Sequence, residues 1–384
     1  MTTITLQETH VGGRANMNSA AYAYYDLWIE SLDLPIYKGY YVDDLRTLGL
    51  GPWHQRGCDA AFVQLAGQEG VTGVYVTEVR PGATTPPFRV AVDECVYVLQ
   101  GRGITSVQAR DSASKRSFEW GKHAMFLLPA NHQYQISNTS GTEPVRLLHS
   151  SYLPLAMSVI QNPDFFFNNE VIETNRLEAS TEGEFYTAAR AIERQWGNGR
   201  VNRQWLGNFF PDMRAWDKLV PFWGRGAGGT VVSVEFPGSP ITAHMSVFPP
   251  RSYKKAHRHG PGFVIVIPVG EGYSIMWPGE KGEKVIIPWH EASCFVPPFR
   301  WFHQHFNVST SPDRYLAIHP PRGLSGAGES VDGVANQIEY PFEDPFIRER
   351  FESELAKRGL KSVMPDEAYN DANFEWDYSG VGSA

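Results

Sequence analysis

The sequence predicts an all-β protein made of two copies of one domain, with a few flanking helices. Three observations carry this. Residues 70–82, 94–108 and 123–141 alternate apolar and polar side chains and stop at Gly or Pro, as half-buried strands do. Residues 231–236, 241–250, 263–269 and 270–277 do the same further along. Shifted by 169 residues, the chain also matches itself without a gap from 88 to 138.

Taken in order, residues 1–17 are polar and read as loose chain. Residues 18–30 place aromatic and aliphatic side chains at helical spacing behind a serine, which predicts a short helix packed on the β core. Residues 34–54 mix Pro, Gly and aromatics and read as an extended arm, either covering a sheet edge or crossing to a second subunit. The first copy follows. After it, residues 181–199 open with a Thr-x-x-Glu-like cap and end in Gly, which reads as a helix. Residues 214–229, rich in Trp and Gly, read as a lid or a packed linker. Beyond the second copy, residues 324–334 are Gly- and Ser-rich, and 341–360 form an amphipathic helix closed by Lys, Arg and Gly. The tail from Lys361 shows no period.

In the repeat, Gly101, Gly103, Trp120, Phe126, Pro129 and Asn138 fall on Gly270, Gly272, Trp289, Phe295, Pro298 and Asn307. Three other positions differ in kind: Phe88, Val90 and Tyr134 fall on His257, His259 and His303. On a strand, His257 and His259 share one face, and a returning strand can bring His303 beside them. Three neutral imidazoles can hold one divalent cation and leave positions open for chemistry. The turn-forming residues occur twice and the ligand set once.

This spacing resembles the two cupin motifs, matched by His257, His259, Gly270, Pro298, His303 and Asn307. Phe263 stands where the family places a ligand Glu, and Arg300 where it places a glycine; the first copy keeps Glu94 and Gly101 but no histidine. The resemblance implies two tandem jelly-roll β-barrels. The expected organisation is an N-terminal helix and arm (1–59), a metal-free barrel (60–155), a helical linker (156–229), a metal-binding barrel (230–323), and a C-terminal helix and tail (324–384).

Composition bounds the function. The length of 384 residues suits two domains, and 42% hydrophobic with 20% charged residues is globular. A formal charge of -8 argues against nucleic-acid or anionic-membrane partners. Cys58, Cys95 and Cys294 are too scattered for a disulfide framework and read as reduced core thiols. Neither a signal-like start nor a membrane-length apolar run is seen, so a cytoplasmic location is expected.

The ligand set expected is His257, His259 and His303, with His305 as an alternative fourth ligand. His305 and His244 are candidates for proton transfer. Phe263, Tyr273, Trp277 and Trp301 are candidates for lining the substrate, while His290 and His319 are weaker ones. His54, His123, His132 and His149 are read as structural. The cofactor expected is one divalent ion, Fe(II) by preference with Mn(II), Zn(II) or Ni(II) as alternatives, and no organic cofactor. Similarity to gentisate- and hydroxynaphthoate-type bicupins implies a dioxygenase acting with O2 on a small aromatic or enolisable acid, although those relatives carry their metal in the N-terminal barrel. The alternatives are a non-oxidative lyase, isomerase, decarboxylase or hydrolase, and a binding protein without turnover. A homo-oligomer is expected.

Overall fold

A computed structural model describes residues 3–5, 20–109, 115–170, 175–178, 185–187, 189–195, 201–215, 219–279, 282–324 and 336–378. Each copy folds as a jelly-roll sandwich of a long sheet on a short one. In the first copy the long sheet contains Cys58–Leu65, Gly73–Val79, Val145–Ser151, Glu94–Gln100 and Met125–Leu128, and the short sheet Gln133–Asn138, Gly103–Gln108 and Lys115–Trp120. In the second, Thr230–Glu235, Thr242–Phe248, Asp313–Ile318, Val264–Val269 and Cys294–Phe295 face Val285–Trp289, Gly272–Trp277, Phe302–Asn307 and Ala256–His257.

The frame is duplicated down to single contacts. Trp120 Nε1 donates to Thr105 Oγ1 at 2.8 Å, and Trp289 Nε1 to Ser274 Oγ at 3.0 Å. Each Trp ring crosses a glycine: a Cβ on Gly103 or Gly272 would lie 2.5 Å from the ring's Cη2 or closer atoms, so neither position admits a side chain without movement. Asn138 and Asn307 both donate from Nδ2 to a carbonyl in the following turn, at 2.8 Å. The bridge Phe88↔Tyr134 recurs as His257↔His303.

The arm of residues 34–54 does cover edges, and it covers both barrels of its own chain. Ile36–Gly39 runs parallel to Cys58–Leu65 in the first barrel, and Tyr41–Val42 then pairs with Cys294–Phe295 in the second. The linker returns the arrangement: Val201–Leu206 runs parallel to Thr230–Glu235, and Phe209–Phe210 pairs with Met125–Phe126 of the first barrel. Exchange of edge strands caps both long sheets. A single apolar core runs through both barrels, joining Val96, Leu147 and Phe210 to Val232, Met245 and Leu316.

The first helix spans Ala20–Ser31 and the last long one Pro345–Lys357, capped by the Asp344 carboxylate and burying Ile347, Phe351 and Leu355 at four-residue spacing. The helix read over 181–199 is corrected: Arg190–Gln195 is a strand, paired antiparallel with Val201–Leu206. Ala191 pairs with the fully buried Trp205, so sheet burial wins over local helix preference. Gly197-Asn198-Gly199, which reads as a helix stop, is equally a hairpin signal. Residues 214–229 are a packed linker where described, since Val220–Pro221 joins the sheet edge and Ala227 is buried. The Gly/Ser-rich stretch lies almost wholly outside the described residues. No described helix is long and apolar enough to cross a membrane, and the three cysteines are free thiols.

Candidate metal centre

The strand Phe302–Asn307 is buried on both faces. Phe302 and Phe306 pack outward on Trp277, Tyr253 and Tyr273 beneath the C-terminal helix, while His303 and His305 alternate with them and face the barrel interior. His257 pairs directly opposite His303, and their ring centroids lie 4.3 Å apart. His259 comes within 4.6 Å of His303 and 5.8 Å of His257. His305 stands 5.6 Å from His303 and 6.2 Å from His257.

Four histidines therefore converge, and their donor atoms divide them. His257, His303 and His305 form the tight set, with one nitrogen each within 4.8 Å of the others; His259 lies outside that limit. Hydrogen bonding sorts them differently. The Nδ1–H groups of His257, His259 and His303 donate to the backbone carbonyls of Lys255, Gly260 and Trp301 at 3.2, 2.8 and 3.2 Å. A carbonyl can only accept, so each Nδ1 keeps its proton and each Nε2 presents a lone pair. His303 Nε2 is buried with no hydrogen-bond partner. His305 differs: its Nδ1 meets Ser274 Oγ at 2.8 Å, a hydroxyl that already accepts from Trp289 and has its own proton to give. That serine leaves the proton of His305 free to sit on Nε2.

Burial is the first cause holding all four imidazoles neutral. It lowers His259 to about 4, and takes His257, His303 and His305 well below the usual histidine range. The charges that add to this are Arg225, Lys254 and the other histidines, with no carboxylate among them. Neutral imidazoles with free Nε2 lone pairs fit a divalent ion, and metal binding need not first displace protons from them at neutral pH.

Around the cluster the predicted residues separate. Phe263, at the repeat position of Glu94, sets its ring 4.0 Å from that of His259. His244 Nδ1 and His319 Nε2 share a hydrogen bond of 2.7 Å, His319 Nδ1 meets Thr242 Oγ1 at 3.1 Å, and His244 Nε2 has no partner. The His319 ring also lies 5.0 Å from that of Phe263, tilted against it, so it is more central than its sequence context indicates. Tyr273 and Trp277 are corrected: alternation puts them on the outer face, stacked on Phe306 and Phe302, with Ser274 and Met276 facing the histidines instead. The Trp301 ring packs on Tyr40 of the arm, and only its carbonyl reaches the site. His290 is half-exposed beside Asp43, away from the cluster.

Two basic side chains, one buried and one half-buried, escaped the sequence reading. Lys254 is fully buried, with Nζ donating to Ser246 Oγ and to Tyr315 OH at 3.2 Å; burial drives its amine well below the ordinary lysine range. Tyr315 lies 4.8 Å from His305. Arg225, in the linker, donates from Nη1 to Gln337 Oε1 at 2.9 Å, and Gln337 pairs with His257. The available signal was the repeat itself. Continued upstream at the same shift, it aligns Trp53, Arg56 and Gly57 with Phe222, Arg225 and Gly226.

A cavity of about 850 Å³ lies elsewhere, at the mouth of the first barrel against Trp28, Trp53 and Phe88. Open volume points to one barrel and donor chemistry to the other; the histidines carry the chemistry.

No protein-family model matches the chain, and no curated protein matches it in sequence. Among solved structures it is similar to a tryptophan variant of oxalate decarboxylase from Bacillus subtilis, at 12% identity over 73% of this chain and 76% of that one, with a TM-score of 0.45. The formate complex of Lactobacillus farciminis oxalate decarboxylase is similar at 11% identity over 73% and 85%, with a TM-score of 0.46. At that distance the likeness assigns neither metal nor reaction to this chain.

Proposed function

We propose that the second barrel is a metal-dependent enzyme site for a small organic acid, with the ion on His257, His259 and His303 and His305 as a flanking donor. The observation that carries this is the set of three converging Nε2 lone pairs, that of His303 fully buried, each fixed by a backbone carbonyl on the opposite ring nitrogen. Such an ion supplies Lewis acidity to an anionic substrate and, if it is iron, a redox partner for dioxygen. Three neutral ligands leave its full charge uncompensated, and the charge acting on them from the linker, Arg225, is also positive. The chain's own residues thus select an anion.

Two chemistries have support from particular residues. The oxygenase reading, with iron preferred, rests on Phe263 against His259 and Phe295 against His305, apolar walls that keep water from a reactive centre. The non-oxidative reading, with manganese, zinc or nickel, rests on the Lys254–Ser246–Tyr315 contacts beside His305. These groups can deliver the proton that a decarboxylated or isomerised carbanion needs. Decarboxylation is also the activity named for the two solved structures above, which puts it among the reactions to assay.

The test is elemental analysis of protein purified without added metal, alongside single alanine variants of the four histidines. His257→Ala, His259→Ala and His303→Ala are expected to lose the ion and His305→Ala to keep it. Retention of metal by the first three sinks the proposal. Oxygen uptake with aromatic diols, hydroxy acids and diketones, set against anaerobic CO2 release from small acids, separates the two chemistries.

A further inference from the structure

Arg56 and Arg225 occupy one position of the repeat, and both are followed by a glycine in the left-handed region, Gly57 at φ 59 and Gly226 at φ 70. Their surroundings differ. Arg56 Nη1 donates to Tyr75 OH at 2.6 Å, and Tyr75 OH donates in turn to the buried carboxylate of Glu94. Glu94 also accepts from His149 Nδ1–H at 2.8 Å and stays ionised: burial alone would raise its carboxyl, but His149 and Arg56 hold it below the usual value. The first barrel therefore answers its guanidinium with an internal carboxylate, one phenol away.

In the second barrel the same shift turns Tyr75 into His244, Glu94 into Phe263 and Tyr134 into His303. The guanidinium remains, the position of Glu94 is apolar, and the carboxylate nearest to it along its hydrogen bonds is that of Glu339, reached through Gln337, whose Nε2 donates to Glu339 Oε1 at 2.7 Å. Arg225 makes one side-chain hydrogen bond, to Gln337, and its Nε is buried without a partner. No carboxylate among the described residues lies within ion-pair distance of it. Glu339 answers it only through the amide of Gln337, and unlike Glu94 it is already neutralised by its own ion pair, with Lys255. Burial accordingly lowers Arg225 to about 10, whereas the neighbours of Arg56 more than reverse the effect of its burial. Arg225 is half-buried with its Nε closed off and unpaired, an arrangement that an anion would relieve, and its planar fork matches a carboxylate.

We infer that Arg225 is the receptor for the substrate's carboxylate, standing in the second barrel where Glu94 answers Arg56 in the first. This rests on the reading of the second barrel as a site for a small acid, and it identifies the group on that acid that the chain itself recognises. Arg225 reaches the histidines through Gln337, the residue paired with His257, so the carboxylate would be held beside the ligand set.

The probes are salicylate and glycolate against their neutral amides, salicylamide and glycolamide, titrated calorimetrically into metal-free full-length protein. The carboxylates should bind and the amides should not. R225Q should weaken carboxylate binding by about ten- to a hundredfold, and R225K should fall between it and the wild type. Metal content after reloading should be the same in all three. Equal carboxylate affinity in wild type and R225Q, or no binding of either carboxylate by the wild type, overturns the inference while leaving the metal assignment intact. Failure of His257→Ala to lose metal, with R225Q still weakening carboxylate binding, overturns the metal assignment alone. If R225Q does not fold, R225K decides, and affinity unchanged from wild type overturns the inference.

Discussion

In the first barrel Phe88 and Tyr134 face each other across the bridge that brings His257 and His303 together in the second. Behind that bridge the first barrel is a closed electrostatic unit. The Arg56 guanidinium lies 3.7 Å over the Phe88 ring and 4.4 Å from Trp53, tied through Tyr75 to Glu94 and His149. The second barrel is more open in the same sense: neutral imidazoles, a buried amine, and a guanidinium whose one partner, Gln337, leads to a carboxylate, Glu339, already paired with Lys255. A shared backbone frame leaves the interior free to be either self-satisfied or ligand-seeking, and a few side chains decide which.

Acid should break the comparison most visibly. His244, His257, His259, His303, His305 and His319 are all held neutral in the second barrel chiefly by burial, with folded values near 4 for His259 and near 3 for His319. Unfolded chain takes up these protons near pH 6.5. Stability is therefore fully present above 6.5 and is lost as pH falls toward the folded values, each group contributing up to about 1.4 kcal/mol per pH unit. With six such groups in one barrel, the loss steepens as pH falls below 6.5. In metal-free protein, hydrogen exchange should show residues 264–318 losing protection before 73–151 as pH drops from 6.5. Simultaneous loss would mean that the shared core and exchanged arms couple the barrels into one unit.

A smaller effect sharpens the contrast between the two arginines. Arg56→Met leaves Glu94 buried without its cation and should destabilise the metal-free protein by about 3–5 kcal/mol in urea. Arg225→Met removes a half-buried charge whose carboxylate, Glu339, stands behind Gln337 and is already paired with Lys255, so its loss should change stability by less than about 1 kcal/mol, or raise it. Equal losses would show that Glu339, through Gln337, answers Arg225 as fully as Glu94 answers Arg56.

Much of this was legible in the chain. The duplicated frame follows from glycines, tryptophans and asparagines whose contacts are short in sequence or dictated by turns, so Gly103 with Trp120 and Gly272 with Trp289 announce themselves. The histidines announce themselves because ligand spacing is a property of strands. What was hidden depends on contacts between distant segments. Tyr273 and Trp277 are aromatic near the site, and only the strand's parity, set by Ser274 opposite His305, turns them outward. Arg225 sits in a Gly-rich linker and gains meaning only when Gln337, far along the chain, closes over it. The strand Arg190–Gln195 looks helical until Trp205 claims its place in the sheet.

The finest difference between the copies lies in one backbone angle. Arg300 and Asn131 are equivalent, with φ of 56° and 57°, and Arg300 holds the place where the cupin motif carries glycine. Left-handed backbone strains a residue with a Cβ by about 1–2 kcal/mol, and Asn tolerates it better than most. The Arg300 N–H donates to the His259 carbonyl at 3.0 Å, so this turn steadies the ligand strand, while the Arg300 side chain itself is exposed. Arg300→Gly should keep that hydrogen bond, relieve the strain and raise stability by up to about 1 kcal/mol with metal content unchanged. Asn131→Gly in the first barrel should gain only a few tenths, since less strain is there to relieve. A loss of stability in Arg300→Gly, read from urea unfolding, would mean that the arginine side chain holds the second barrel's turn by contacts that asparagine in the first does not make.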